Sequence, residues 1–152
     1  MSTAIEKHLI GLTGEYLVAG MMSLKGWVAS LTLKNYPSVD IFGLNPTTDE
    51  TISIQVKTTR NTNSYQVGLR HDQRNQIHQI IKCPYVFVHI DMNDNIRYFI
   101  LSKKELINII EITDDDYFNQ ARAKSIQTNY PIAISLKHLA SFEDKWDSLW
   151  VK

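Results

Sequence analysis

Three polar side chains on two short strand-like runs carry the chemistry worth testing in this sequence. In TISIQVKT, Ile52, Ile54 and Val56 alternate with Ser53, Gln55 and Lys57, the period-2 pattern of a strand with one face in the core. In VDIFGL, Val39 and Ile41 share the apolar face while Asp40 and Phe42 take the other. The connecting segment NPTTDE is rich in turn formers, so the two runs are expected to form a hairpin. With the turn centred near residues 47 and 48, paired residue numbers sum to about 95 to 97. That register sets Asp40 opposite Gln55 or Lys57 on one face, so that a carboxylate, an amide oxygen and an ammonium converge.

Asp40 and the Gln55 carbonyl are hard oxygen donors. With the Val56 backbone carbonyl and waters they suit the octahedral coordination of Mg²⁺. Lys57 follows that carbonyl by one residue, where an ammonium can act on an attacking water or stabilise charge developing on a phosphate. Hydrolysis of a phosphodiester is the natural use of such a set. A structural Asp40–Lys57 salt bridge on a half-exposed strand is the alternative.

Other elements must position this hairpin. Thr3 to about Lys25 repeats apolar residues at Ile5, Leu9, Leu12, Tyr16, Ala19 and Leu24, which predicts a long N-terminal helix. Thr3 and Glu6 form a candidate capping box and Gly26 a stop, while Gly11 and Gly14 weaken the early turns and allow a start near Leu9. Strand-like runs follow at Trp27–Leu33, Val39–Leu44 and Thr51–Thr58. Gln66–Ile81 is polar, with Ile77, Ile80 and Ile81 at helical spacing, and is expected to be a helix. YVFVHID and IRYFIL predict two strands joined by an Asn-containing turn, with Tyr85, Phe87, Tyr98 and Phe99 in the core. A short helix capped by Ser102 comes next. Beyond the acidic stretch around Asp114, a short strand and one or two helical turns are expected, with Trp146 and Trp150 packing back. The order predicts a mixed sheet with helices on both faces.

GLTGEYLVAG, PSVDIFG and ISIQVKTT, in that order and parity, resemble the PD-(D/E)xK nuclease superfamily, especially its Holliday-junction-resolvase-like and type IV restriction-endonuclease-like members. The resemblance runs from Leu9 to Arg60, roughly a third of the chain. It implies a three-layer α/β/α restriction-endonuclease-like fold with a central mixed β-sheet. It also implies a metal site formed by Glu15 on the first helix, Asp40, Gln55 and the Val56 carbonyl, with Lys57 as the catalytic lysine. Mg²⁺ or Mn²⁺ would be the cofactor, duplex or branched DNA the substrate, and a homodimer is compatible with the resemblance. The chain departs from the usual pattern at Gln55, where an acid is normal; the loss of one negative charge weakens the hold on a divalent ion.

Composition narrows the remaining classes. A length of 152 residues, 43% hydrophobic, fits residues 1–152 as one globular domain. The longest uncharged stretch is far short of the roughly 20 residues that cross a bilayer, and the first ten residues lack signal-peptide order, so a cytoplasmic location is expected. Cys83 is the one cysteine, expected as a buried thiol, and no zinc set emerges. Sixteen basic and sixteen acidic residues balance, which argues against a non-specific DNA coat. Basic residues nevertheless concentrate after the hairpin. Thr59, Arg60, Arg70 and Arg74 are the candidate phosphate contacts, with His71 and Gln73 in reach of the same region. A nuclease-fold binding module, or an interaction subunit of a repair or defence assembly, is the alternative to an active nuclease.

Overall fold

The computed structural model describes residues 3–33, 37–124 and 129–150. Helix α1 spans Ala4–Leu24 and begins at the full capping box, not near Leu9. Glu6 N donates to Thr3 Oγ1 at 3.1 Å and Thr3 N to Glu6 Oε2 at 2.6 Å, satisfying two otherwise orphaned amides. Gly26 terminates it at φ +86°, a conformation that a side chain would strain. Strands β1 (Val28–Leu31), β2 (Ile41–Leu44) and β3 (Thr51–Arg60) follow as an antiparallel meander.

Residues 64–81 differ from expectation. Ser64–Arg70 is a strand, β4, followed by a 3₁₀ turn over His71–Gln76 and a single helical turn, α2, at Ile77–Ile80. The reason lies in Tyr65, Val67 and Leu69, which alternate and are each at most 2% exposed. Their pairing strand lies far downstream: β4 pairs with β7 (Pro131–Ser135), Ser64 opposite Ser135.

Strands β5 (Tyr85–Ile90) and β6 (Ile96–Leu101) form the expected pair. Helix α3 then runs Lys103–Ala123, much longer than the short helix expected, starting at a Ser102–Glu105 capping box. The acidic run does not end it, because Asp114 is buried and its carboxylate accepts hydrogen bonds from Arg74 and Tyr130 and pairs with His71. After β7 come α4 (Leu136–Leu139) and 3₁₀ turns at Ala140–Phe142 and Trp146–Leu149.

The main sheet has the order β1-β2-β3-β5-β6, antiparallel except for the parallel β3–β5 pair. Apolar residues pack it from both sides. On one face Val18 and Met22 of α1 bury Ile41, Ile54, Val56, Val86 and Val88, with Trp146 and Leu149 completing the cluster. On the other, Tyr85, Phe87, Phe99 and Leu101 pack against β4, β7, α2 and α3. The chain thus adopts the expected three-layer mixed α/β fold, with the β4–β7 ribbon added to one outer layer. Trp150 stacks on Trp27 at 4.3 Å between centroids, fastening the C-terminal turns to the start of β1. No helix among the described residues is long and apolar enough to cross a membrane.

Candidate active site

The hairpin register is one of those the sequence allows, with Asp40 nearest Gln55 and not Lys57. Ile41 lies opposite Ile54, a sum of 95, so Asp40 falls beside Gln55 where β2 begins. Its backbone is fixed on both sides: Asp40 N donates to Ile54 O, and Thr32 N donates to Asp40 O, each at 2.9 Å. Thr32 Oγ1 also donates to Val39 O at 2.6 Å. This clamp aims the carboxylate across to β3, where Asp40 Oδ2 accepts from Gln55 Nε2 at 2.6 Å and from Val56 N at 2.7 Å.

Burial raises the Asp40 pKa above the ordinary carboxylate value, while the Val56 amide and the Lys57 charge pull it back. Lys57, partly buried two residues along the same strand face, therefore acts on Asp40 through space. Gln55 Nε2 is committed to Asp40, which leaves Gln55 Oε1 buried with no hydrogen-bond partner. Flipping the amide would put two oxygens against each other, so the orphan is a property of the site. Because a strand residue projects its N–H and C=O to the same side, the Val56 carbonyl also faces the Asp40 side, where β2 supplies no further partner.

Glu15 reaches the site from α1. It lines, with Asp40 and Thr32, a cleft of about 250 Å³ whose rim also holds Lys7 and His8. Sequence reasoning missed these last three residues. Lys7 and His8 precede Glu15 by about two helical turns and so share its face, a periodicity that could have found them; Thr32 has no such signature. Helix α1 approaches this closely because Gly14 lies against β3: a β-carbon there would fall 1.8 Å from Thr58 Oγ1.

The donors fit a hard divalent cation. Asp40 and Glu15 provide two carboxylates, and Gln55 Oε1 and the Val56 carbonyl provide neutral oxygens, one of them buried and unsatisfied. Among the described residues, no group of three or more His, Cys, Asp or Glu is placed to hold a metal ion.

The expected phosphate contacts are dispersed. Thr59 Oγ1 donates to Thr62 O at 3.2 Å, and Arg60 pairs with Asp94 at 2.6 Å. Arg70 donates to Asn129 O at 3.1 Å. Arg74 bonds both Asp114 and Asp115, and its neighbour His71 is held by Asp114 and stacked on Phe118 and Tyr130. Arg70, His71 and Arg74 thus brace α3 and the approach to β7, and these bonds do not join them to Asp40. Cys83 is buried, donates to Ser38 O at 3.5 Å, and has its thiol pushed up to about 11 by burial.

No family model matches the chain, and no curated protein matches it in sequence. Among solved structures it is similar to a Holliday junction resolvase from Archaeoglobus fulgidus, an archaeal hyperthermophile. The two share 15% identity over 86% of this chain and 88% of that chain, with a TM-score of 0.44. A likeness of that size transfers no residue roles to this chain.

Proposed function

We propose that the chain is a metal-dependent endonuclease that hydrolyses DNA phosphodiester bonds. The observation that supports this reading is the Asp40 carboxylate held against Gln55 and Val56, with Glu15 in its cleft and the Lys57 charge acting on it. Asp40, Glu15, Gln55 Oε1 and the Val56 carbonyl would hold Mg²⁺ or Mn²⁺. That ion, when bound, supplies Lewis acidity to the scissile phosphate and lowers the pKa of the attacking water. Lys57 orients that water and offsets negative charge developing on the phosphate oxygens. Thr32 and the Ile54 carbonyl act earlier, by fixing the Asp40 backbone so that its carboxylate needs no reorganisation.

The test is cleavage of supercoiled, linear and four-way-junction DNA with Mg²⁺ or Mn²⁺, comparing wild type with Asp40→Ala and Lys57→Ala. Nicking by wild type that falls at least about a hundredfold in both folded variants is expected, the scale of losing one transition-state stabilising group. Cleavage that survives Asp40→Ala would refute the assignment. If the wild type cuts none of the DNAs, the chain is a binding module or a subunit of a larger assembly.

A further inference from the structure

The basic residues expected to hold DNA are committed elsewhere, yet the cleft at Asp40 has a cation of its own. Lys7 and Gly11 of α1 line it along with Thr32 and Asp40. Arg60, Arg74 and Arg97 are paired with carboxylates, and Arg70 donates to the Asn129 carbonyl. The Lys7 side chain makes no hydrogen bond or ion pair among the described residues. Lys57 acts on Asp40 from β3 but is not among the residues that border this cleft. Gly11 lies one helical turn from Lys7 and one from Glu15. A glycine inside a helix is destabilising relative to alanine, and packing does not require this one, because a β-carbon added there meets nothing within 4 Å. Gly14 differs in being pressed against Thr58, and Gly20, though equally unobstructed, is exposed and outside the cleft. Gly11 therefore leaves space where the cleft passes between Lys7 and Glu15.

We propose that Lys7 holds a backbone phosphate of the DNA in this cleft, and that Gly11 is bare so that the strand can settle there within reach of Asp40. The proposal rests on the nuclease reading above and deepens it by naming the residues of α1 that position the substrate. The cleft carries the carboxylates of Asp40 and Glu15, which repel a phosphodiester unless positive charge lies in the same space. A metal ion supplies that charge at the acids themselves. Lys7 supplies it about two helical turns away from Glu15, so the strand is held at a second point and its direction through the cleft is set. An ammonium on a flexible stem, with three donors, accepts a phosphate in many orientations, which fits a contact that positions the backbone and reads no base. The cleft, about 250 Å³, is smaller than the pockets that enclose a drug-sized ligand, and so fits a stretch of backbone passing through it. A side chain at position 11 would obstruct that passage while burying nothing in return.

Fluorescence anisotropy of a labelled DNA duplex on the Asp40→Asn protein in Mg²⁺ buffer provides the test, with further substitutions made in that background. Lys7→Ala is expected to weaken binding about tenfold and to make the slope of log K against log salt shallower by about 0.9, the share of one phosphate contact. Lys7→Arg should restore both. Gly11→Leu should weaken binding at least about tenfold, while Gly20→Leu, which adds the same side chain to an exposed part of the same helix, should bind as its parent does. Circular dichroism checks the fold, and Gly11→Leu should melt no lower than its parent, because leucine is the better helix former. Unchanged affinity and slope in Lys7→Ala would assign Lys7 to solvent and overturn the proposal. Equal losses in the two leucine variants, or no DNA binding by the parent, would overturn it as well. The two readings fail separately. Asp40-dependent cutting with binding indifferent to Lys7 and Gly11 removes the α1 contact alone, whereas Lys7-dependent binding by a wild type that cuts nothing removes the nuclease alone.

Discussion

Asp40 concentrates the conflict between stability and chemistry that a half-buried carboxylate imposes. Its folded pKa is raised by burial, so the native state binds the proton more tightly than the unfolded chain does. Below the unfolded value of 3.8 both states are protonated and nothing is lost; as pH rises past it, ionisation costs native stability until the folded pKa is exceeded. Asp40→Asn keeps an oxygen for Val56 N and Gln55 Nε2 but has no charge to bury. It is expected to melt above wild type at pH 7 in metal-free buffer, with the gap closing below about pH 3.8. Calorimetry across that range checks this, and a wild type that melts higher at pH 7 would refute it. Adding Mn²⁺ should narrow or reverse the gap, because only the carboxylate form gains from the ion. Gln55→Glu probes the same balance from the other strand. It replaces a donor 2.6 Å from Asp40 with a like charge, so without metal it should cost about 1–3 kcal/mol. Titration calorimetry should then show Mn²⁺ binding strengthened about tenfold, as an added carboxylate ligand does. Unchanged binding would mean that residue 55 does not face the ion.

At the scale of elements, the α1–β3 contact governs how Glu15 meets the hairpin. Gly14→Ala drives a methyl into Thr58 and should cost about 1–3 kcal/mol by overpacking. Thr58→Ala removes the nearest atom, Oγ1, and Cγ2, leaves Cβ at 2.9 Å, and sacrifices no hydrogen bond, since Thr58 Oγ1 has no partner. In that background Gly14→Ala should cost clearly less than in wild type, which urea unfolding of the four proteins would measure; additive costs would refute the contact as the cause. The same contrast between local and remote determinants explains which elements the sequence revealed. The β2–β3 hairpin was legible because alternation, turn residues and both partners lie within about twenty residues, and the register of Asp40 with Gln55 followed. Strand β4 was not, although Tyr65, Val67 and Leu69 alternate just as clearly, because β7 lies far away in sequence and the polar residues after Arg70 suggested a helix. The length of α3 was hidden for a related reason. Asp114–Asp116 resembles a helix end until His71, Arg74 and Tyr130 are brought against Asp114 by the fold. Those tertiary bonds also account for the dispersal of the basic residues that charge counting had grouped.

For the whole molecule, net charge is zero and three of the five arginines, Arg60, Arg74 and Arg97, are paired with carboxylates, so no overall field draws in a polyanion. Each phosphate contact to duplex DNA contributes about −0.9 to the slope of log K against log salt. Two or three contacts near Lys57 predict a slope of only about −2 to −3, measurable by anisotropy between 50 and 200 mM salt. A slope steeper than about −5 would mean that basic residues away from the candidate site also grip the DNA. The β4–β7 ribbon has a different kind of consequence, in the order of events as the chain is made. Ser64 must wait for Ser135, about seventy residues later, before its strand has a partner. On the ribosome, at roughly 5–20 residues per second, Tyr65, Val67 and Leu69 therefore stay uncovered for several seconds after the β2–β3 hairpin has emerged. The nascent protein passes through a stage in which its site strands are complete and its outer layer is still an open, adhesive edge. That interval is where a holdase chaperone would find it, and where slowing translation after residue 70 would lower the yield of native protein.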